Sequence, residues 1–378
     1  MIILDKNRVK ENIEKRLQDD ISSGRVGGAS LLVKQGGEVV YRNQFGRSDE
    51  STPLSPNAVF RLASMTKPIT AVAIMKQVER GLVSLDDAIE KFIPGYGEMD
   101  IAVMGEDKKP KTVKKAEGKV KILHLLTHSS GIGCGAVGDY LNIHGDRDAR
   151  VDLKGVVEEY ANHPLSFEPY TAQAYSAVVG FDILARIVEL TSGMPYNEFV
   201  KNEIFEPLGM CDTTFTPSEE QWSRAVAMHT FSEGKVAFEP VDTEHIFGGF
   251  PLTYFCGGAG LVSTLADYEK FADMLLCEGK SRDGAEVLKA ETVRRMRTIS
   301  VPDRVMPGNQ KWGLGMRVIA EESYARLPVG CYGWSGAYGT HFWVDPENQV
   351  VGIYMKNSRY DGGSGALTAA NFEKDVYL

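Results

Sequence analysis

A serine and a lysine three residues apart, Ser64-Met65-Thr66-Lys67, open the segment PITAVAIMKQV. On a helix that spacing puts both side chains on one face, within reach of each other. Pro68 is tolerated there because a missing N–H costs little in the first turn. The residues that follow, Ile69, Ala71, Val72, Ala73, Ile74 and Met75, are apolar nearly all round, which predicts a buried helix. A lysine at the head of a buried helix needs a partner or a task. A serine hydroxyl is a weak nucleophile until a neighbour takes its proton. A desolvated lysine can take that proton, or favour the anionic form of another group. The positive end of the helix dipole lies close to Ser64 as well. Taken alone, the pattern favours a plainer reading, with Ser64 as a helix cap and Lys67 reaching out to solvent.

Two further segments shift that balance. Tyr175-Ser176-Ala177 leads into the amphipathic run VVGFDILARIVELTSG. A tyrosine at the start of a helix is usually packing, yet a phenol beside an ammonium can serve as a general base. Trp334-Ser335-Gly336-Ala337 lies in a stretch of strand character. A glycine there would let a substrate approach the backbone closely. The N–H groups of Ser64 and Ala337 could then form an oxyanion hole.

The elements that must bring these segments together follow from periodicity. Val9, Ile13 and Leu17 recur every four residues, predicting a helix from about Asp5 to Ile21. Two β-rich runs flank Gly36-Gly37, the pattern of a hairpin. A second helix is expected over Phe60 to Val78. Helical patterns recur at 121–127, 153–161, 178–191 and 197–204, and again from Leu265 to Leu276. The runs KWGLGMRVI, CYGWSGAYGTHFWVD and QVVGIYMKN read as strands, the last two joined by a turn at Asp345-Pro346-Glu347-Asn348. The expected class is therefore α+β. Residues 1–80 and 255–378 form an antiparallel sheet unit flanked by helices, and the mainly helical segment 81–254 is inserted between them.

Ser-x-x-Lys, Tyr-Ser-x and Trp-x-Gly in this order resemble the motifs of class C β-lactamases and of the esterases that share their penicillin-recognising fold. Further similar text lies at 125–133 (LLTHSSGIG), 204–215 (IFEPLGMCDTTF), 257–276 (GGAGLVSTLADYEKFADMLL) and 339–346 (GTHFWVDP). The resemblance runs from about residue 20 to the C-terminus. It implies that Ser64 attacks a carbonyl and becomes acylated, that Lys67 and Tyr175 move the proton, and that the amides of Ser64 and Ala337 hold the oxyanion. Two positions depart from the β-lactamase pattern. Trp334 stands where those enzymes usually carry the lysine of Lys-Thr-Gly, and Ala177 where they usually carry asparagine. Both changes weaken recognition of an anionic amide and leave the acylation residues in place. Trp334, Ser335, Gly336 and Ala177 are thus the expected substrate-binding residues. The expected activity is that of a carboxylesterase on small esters. The alternatives are an amide or β-lactam hydrolase, a D-amino-acid peptidase, an acyltransferase, or a non-catalytic sensor that keeps the fold.

Composition narrows the partners. The 378 residues carry a net charge of −9, which argues against nucleic acid or an anionic membrane surface. A small-molecule ester or amide is the expected partner, and no cofactor is implied. No signal peptide and no bilayer-spanning run is read. The five cysteines are odd in number and scattered, as reduced thiols of a cytoplasmic protein would be. His124 and His128 are four apart, but Leu125 stands where a zinc protease has glutamate, so no metal site is expected. His128 reads as a turn residue that pins its loop. Gly133 to Gly138 matches Gly-x-Gly-x-x-Gly without a preceding strand and reads as a flexible loop. Gly333 to Ala337 falls one residue short of a Gly-x-Ser-x-Gly elbow. The seven lysines between 108 and 121 read as a solvated loop. Phe247, Phe250, Tyr254 and Phe255 are equally compatible with an acyl pocket and with core.

Overall fold

The computed structural model describes residues 2–144, 152–308, 310–321 and 327–378. Helix α1 (Lys6–Ser22) starts at Asp5, whose carboxylate accepts the amides of Asn7 and Arg8. It buries the stripe Val9, Ile13 and Leu17. Strands β1 (Gly28–Gln35) and β2 (Glu38–Gly46) form the expected hairpin. Its turn needs positive φ at two successive residues, and Gly36 and Gly37 supply 58° and 90°.

Five late strands complete the sheet: β3 (Gln310–Trp312), β4 (Arg317–Ile319), β5 (Tyr332–Ser335), β6 (His341–Asp345) and β7 (Val350–Met355). The order is β2-β1-β7-β6-β5-β4-β3, antiparallel throughout. Both faces are covered, which is why β1, β6 and β7 read as near-continuous apolar runs. On one face, α1 and the C-terminal helix α5 (Leu367–Tyr377) pack Val9, Ile13, Phe372 and Val376 onto Leu31, Trp343 and Tyr354. On the other, α2 (Thr66–Glu79) and α4 (Leu265–Leu276) pack Ile69, Met75, Phe271 and Leu275 with Leu32, Phe342 and Ile353. Helix α3 (Val179–Ser192) lies against α2 and extends the same core.

Three local expectations are corrected. Phe60 and Arg61 are not helical; Val59–Arg61 is a short strand paired with Val262–Thr264. A 3-10 turn, Ala63–Met65, then leads into α2. The lysine-rich stretch is no open loop, because Asp100–Met104 and Pro110–Lys115 pair as a hairpin. Its outer strand is exposed from Lys111 to Lys115, and lysines on such an edge discourage pairing with other chains. Gly135 begins a helix, Gly135–His144, where a flexible loop was expected. The segment 81–254 carries helices but also two hairpins, the second being His229–Ser232 with Lys235–Phe238. The five cysteines are free, and among the described residues no helix is long and apolar enough to cross a membrane.

Two contacts generate tests. Gly352 faces Trp343 across β7 and β6, and a Cβ there would lie 2.2 Å from two atoms of the indole ring. Gly352→Ala should cost about 1–3 kcal/mol by overpacking, read by chemical denaturation. Asp182 of α3 is fully buried and accepts the Tyr254 hydroxyl. Burial pushes its carboxyl up to about 6, against the pull of that hydroxyl. The folded protein thus binds a proton that the unfolded chain has already released. The stability contribution is full below about 4 and is lost as pH rises through about 6. Relative to Asp182→Asn, the wild type should lose up to about 3 kcal/mol between pH 4 and pH 7. A pH-independent difference between the two proteins would contradict this.

Candidate active site

The segment before α2 is fixed from several sides. Leu62 donates its amide to the Leu261 carbonyl, at 2.9 Å. Tyr268 donates its hydroxyl to the Met65 carbonyl, also at 2.9 Å. Thr66 Oγ1 accepts the Leu261 amide at 3.2 Å. Between these anchors Ala63 adopts φ 46°, a left-handed conformation that is uncommon outside glycine and clusters at functional sites. Ser64 follows, at the head of the helix.

Lys67 is wholly buried, so its ammonium must find all its partners in protein. It finds three. Nζ donates to the Ala177 carbonyl at 2.5 Å, to the Gly258 carbonyl at 2.9 Å and to Ser64 Oγ at 3.2 Å. The rings of Tyr175 and Phe181 close around it, their centroids 5.0 and 5.5 Å from Nζ. The two carbonyls can only accept, so they occupy two N–H groups whatever the charge state. The third direction faces the serine. As an ammonium, Lys67 donates along it; as an amine, it would turn its lone pair toward the Ser64 hydroxyl. That is the geometry a proton acceptor for serine needs.

Tyr175 sits beside this pair in a box of rings. Its centroid is 4.5 Å from His128, 5.3 Å from Trp334 and 6.3 Å from Trp312. The Trp334 indole N–H donates to Tyr175 Oη at 3.0 Å. That bond fixes the phenol oxygen against the indole. His128 holds the segment on both flanks of the tyrosine. Its carbonyl accepts the Ala174 amide and its Nδ1 accepts the Ser176 amide, each at 3.1 Å. It adopts φ 54° to do so. Burial, and then the charge of Lys67, push the imidazole well below its ordinary range, so it stays neutral and keeps the lone pair that Ser176 needs.

The expected residues thus divide. Ser64, Lys67, Tyr175 and Trp334 come together, and Ala177 joins them through its carbonyl rather than its side chain. Ala337 is exposed at the turn between β5 and β6, and its amide makes no hydrogen bond within the described residues. Ser335 is not a cleft residue: its side chain lies on the opposite face of the sheet, bonded to His341. Gly336 serves packing instead of substrate approach. A Cβ there would lie 2.2 Å from both the Leu62 carbonyl oxygen and Thr340 Oγ1. Phe247 packs on Tyr338 beside Ala337, with ring centroids 5.4 Å apart, whereas Tyr254 is core. The Gly258 carbonyl and Trp312 were not anticipated. A carbonyl has no sequence signature, and Trp312 is distinguished only by its place on β3.

Comparison with known proteins agrees with this architecture. The Beta-lactamase family matches residues 9–373. Esterase EstB of Burkholderia gladioli is 30% identical over 376 residues, which span 92% of this chain and 90% of EstB. Protein Rv1367c of Mycobacterium tuberculosis is 29% identical over 363 residues, 90% of this chain and 88% of its own. The structure described as "EstCE1, a hydrolase with promiscuous acyltransferase activity" has the same fold, with a TM-score of 0.81 at 23% identity over 99% of each chain. With its fold and nearly its whole length matched, this chain belongs to the beta-lactamase family.

Proposed function

We propose that the protein is a carboxylesterase that hydrolyses small, neutral esters through an acyl-enzyme on Ser64. The observation that carries this reading is the Trp334 N–H on Tyr175 Oη. It supplies a hydrogen-bond donor to the phenol where β-lactamases usually place a lysine, without a cation to draw in an anionic drug. Ala177 likewise offers no side-chain amide to an acyl-amide substrate. The esterase name of EstB, the relative at 30% identity, supports the same choice.

In this mechanism Ser64 Oγ bonds to the ester carbonyl carbon while its proton passes to the Lys67–Tyr175 pair. The carbonyl oxygen becomes an oxyanion held by the amides of Ser64 and Ala337. Tyr175 returns a proton to the alcohol oxygen as the C–O bond breaks, leaving acyl-Ser64. Water then attacks the acyl carbon, giving one proton to the same pair, and the acid leaves as Ser64 regains its hydrogen. We place this activity in the cytoplasm, a reading supported by five free cysteines.

Hydrolysis of p-nitrophenyl acetate and butyrate, run beside a chromogenic cephalosporin, tests the proposal. Ester turnover should dominate, and Ser64→Ala should abolish it without unfolding the protein. Tyr175→Phe should lower kcat by roughly 10². Trp334→Phe keeps a ring but removes a hydrogen bond to a developing anion, and should lower kcat by about tenfold or more. Dominant cephalosporin cleavage would assign the protein to the β-lactam hydrolases instead. A stoichiometric burst without turnover would point to the sensor role.

A further inference from the structure

The face of the sheet behind the cleft holds a second constellation of serine, histidine and carboxylate. Ser335 Oγ lies 2.8 Å from His341 Nδ1. His341 Nε2 lies 3.1 Å from Glu373 Oε1 of α5. The Arg317 guanidinium of β4 lies 2.9 Å from the same oxygen. The order is that of a nucleophilic triad. No substrate reaches it, for Ser335 and Glu373 are each 2% exposed and His341 is 1% exposed. What it contacts is the strand pair that carries Ala337.

Ser335 and His341 face each other as the last pair of β5 and β6 before their turn. Inside that turn the Gly336 amide donates to the Thr340 carbonyl at 2.7 Å. Thr340 Oγ1 donates to the Leu62 carbonyl at 2.9 Å, two residues ahead of Ser64. The Gly363 amide, from the segment leading into α5, donates to the Gly336 carbonyl at 2.8 Å. The turn is therefore tied to the Ser64 segment in front and to the C-terminal segment behind. The side-chain bond from Ser335 to His341 closes its base.

The carboxylate orients the imidazole. Burial alone would raise the Glu373 carboxyl, but the contacts with His341 and Arg317 outweigh it and bring it down to about 2. An ionised carboxylate only accepts, so Nε2 carries a hydrogen toward it, which turns Nδ1 toward Ser335 Oγ. We propose that Glu373, His341 and Ser335 form a positioning relay that fixes the Ala337 amide from behind the sheet. The relay rests on the reading of Ala337 as an oxyanion donor. Such a donor must lie about 2.7–3.1 Å from a charge that exists only in the transition state. Loosening it therefore affects kcat and leaves ground-state binding alone.

Kinetics on p-nitrophenyl butyrate with Ser335→Ala, Ser335→Thr and Glu373→Gln test this. Ser335→Ala should lower kcat by roughly tenfold to a hundredfold with KM within about twofold. Affinity for phenylboronic acid, which becomes tetrahedral on a serine oxygen, should fall in parallel. Ser335→Thr keeps the hydroxyl and should restore kcat to within about threefold. Glu373→Gln sits on a different element, reports on the relay even if Ser335→Ala fails to fold, and should repeat the loss in kcat. Ser64-dependent turnover that is unchanged in both Ser335→Ala and Glu373→Gln would overturn the relay and leave the esterase reading intact. A loss confined to KM, or no rescue by threonine, would overturn it too. Absence of Ser64-dependent turnover in the wild type would remove the esterase reading, and the relay's role would fall with it.

Discussion

A single buried ammonium organises this molecule. Lys67 has no carboxylate among its three hydrogen-bond partners, only two backbone carbonyls and a hydroxyl. Taking a cation out of water without such partners would cost several kcal/mol. The two carbonyls belong to Ala177 and Gly258, far apart in the chain. The head of α2, the approach to α3 and the loop before Val262–Thr264 must therefore converge on one point. The convergence leaves no room for a side chain: a Cβ on Gly258 would lie 2.9 Å from the Val178 Cα and carbonyl oxygen. The carbonyl set that holds the lysine thus depends on glycine.

Tyr175 is held largely by neutral groups. His128 grips the backbone on either side of it, and aromatic faces fill the space around the ring. A protonated His128 could not accept the Ser176 amide and would place a second cation near Lys67. Burial and that same lysine both oppose protonation, so the two requirements reinforce each other. The histidine does pin a turn, as its sequence context suggests, and the turn it pins is the one that carries the phenol.

Much of this was legible in the sequence wherever one segment contained the whole signal. The stripe of α1, the glycine pair of the first hairpin and the bounds of α4 needed no long-range information. The misread segments depended on partners elsewhere. Phe60 and Arg61 are strand because Ser263 and Val262 lie opposite, and the lysine-rich stretch is a hairpin because its two arms pair. In the site, Ser64, Lys67, Tyr175 and Trp334, drawn from Ser-x-x-Lys, Tyr-Ser-x and Trp-x-Gly, do meet. Ser335 was misplaced although strand parity could have placed it. Neighbouring residues of a strand point to opposite faces, so if Trp334 faces the tyrosine, Ser335 cannot.

That parity also explains how chemistry on one face of the sheet can depend on contacts at the other. β5 and β6 are covered on both sides, so each residue is constrained by one helical layer or the other. Trp334 reaches forward to the phenol while its neighbour reaches back to a histidine and the C-terminal helix. A sheet with one wet face would leave the turn at Ala337 supported from the cleft alone, where substrate and water come and go. Here the supporting contacts lie in a dry layer, where a hydrogen bond is electrostatically stronger than in water and meets no competing solvent. The demand is strictest for an oxyanion donor, whose contribution depends on being in place before the charge forms.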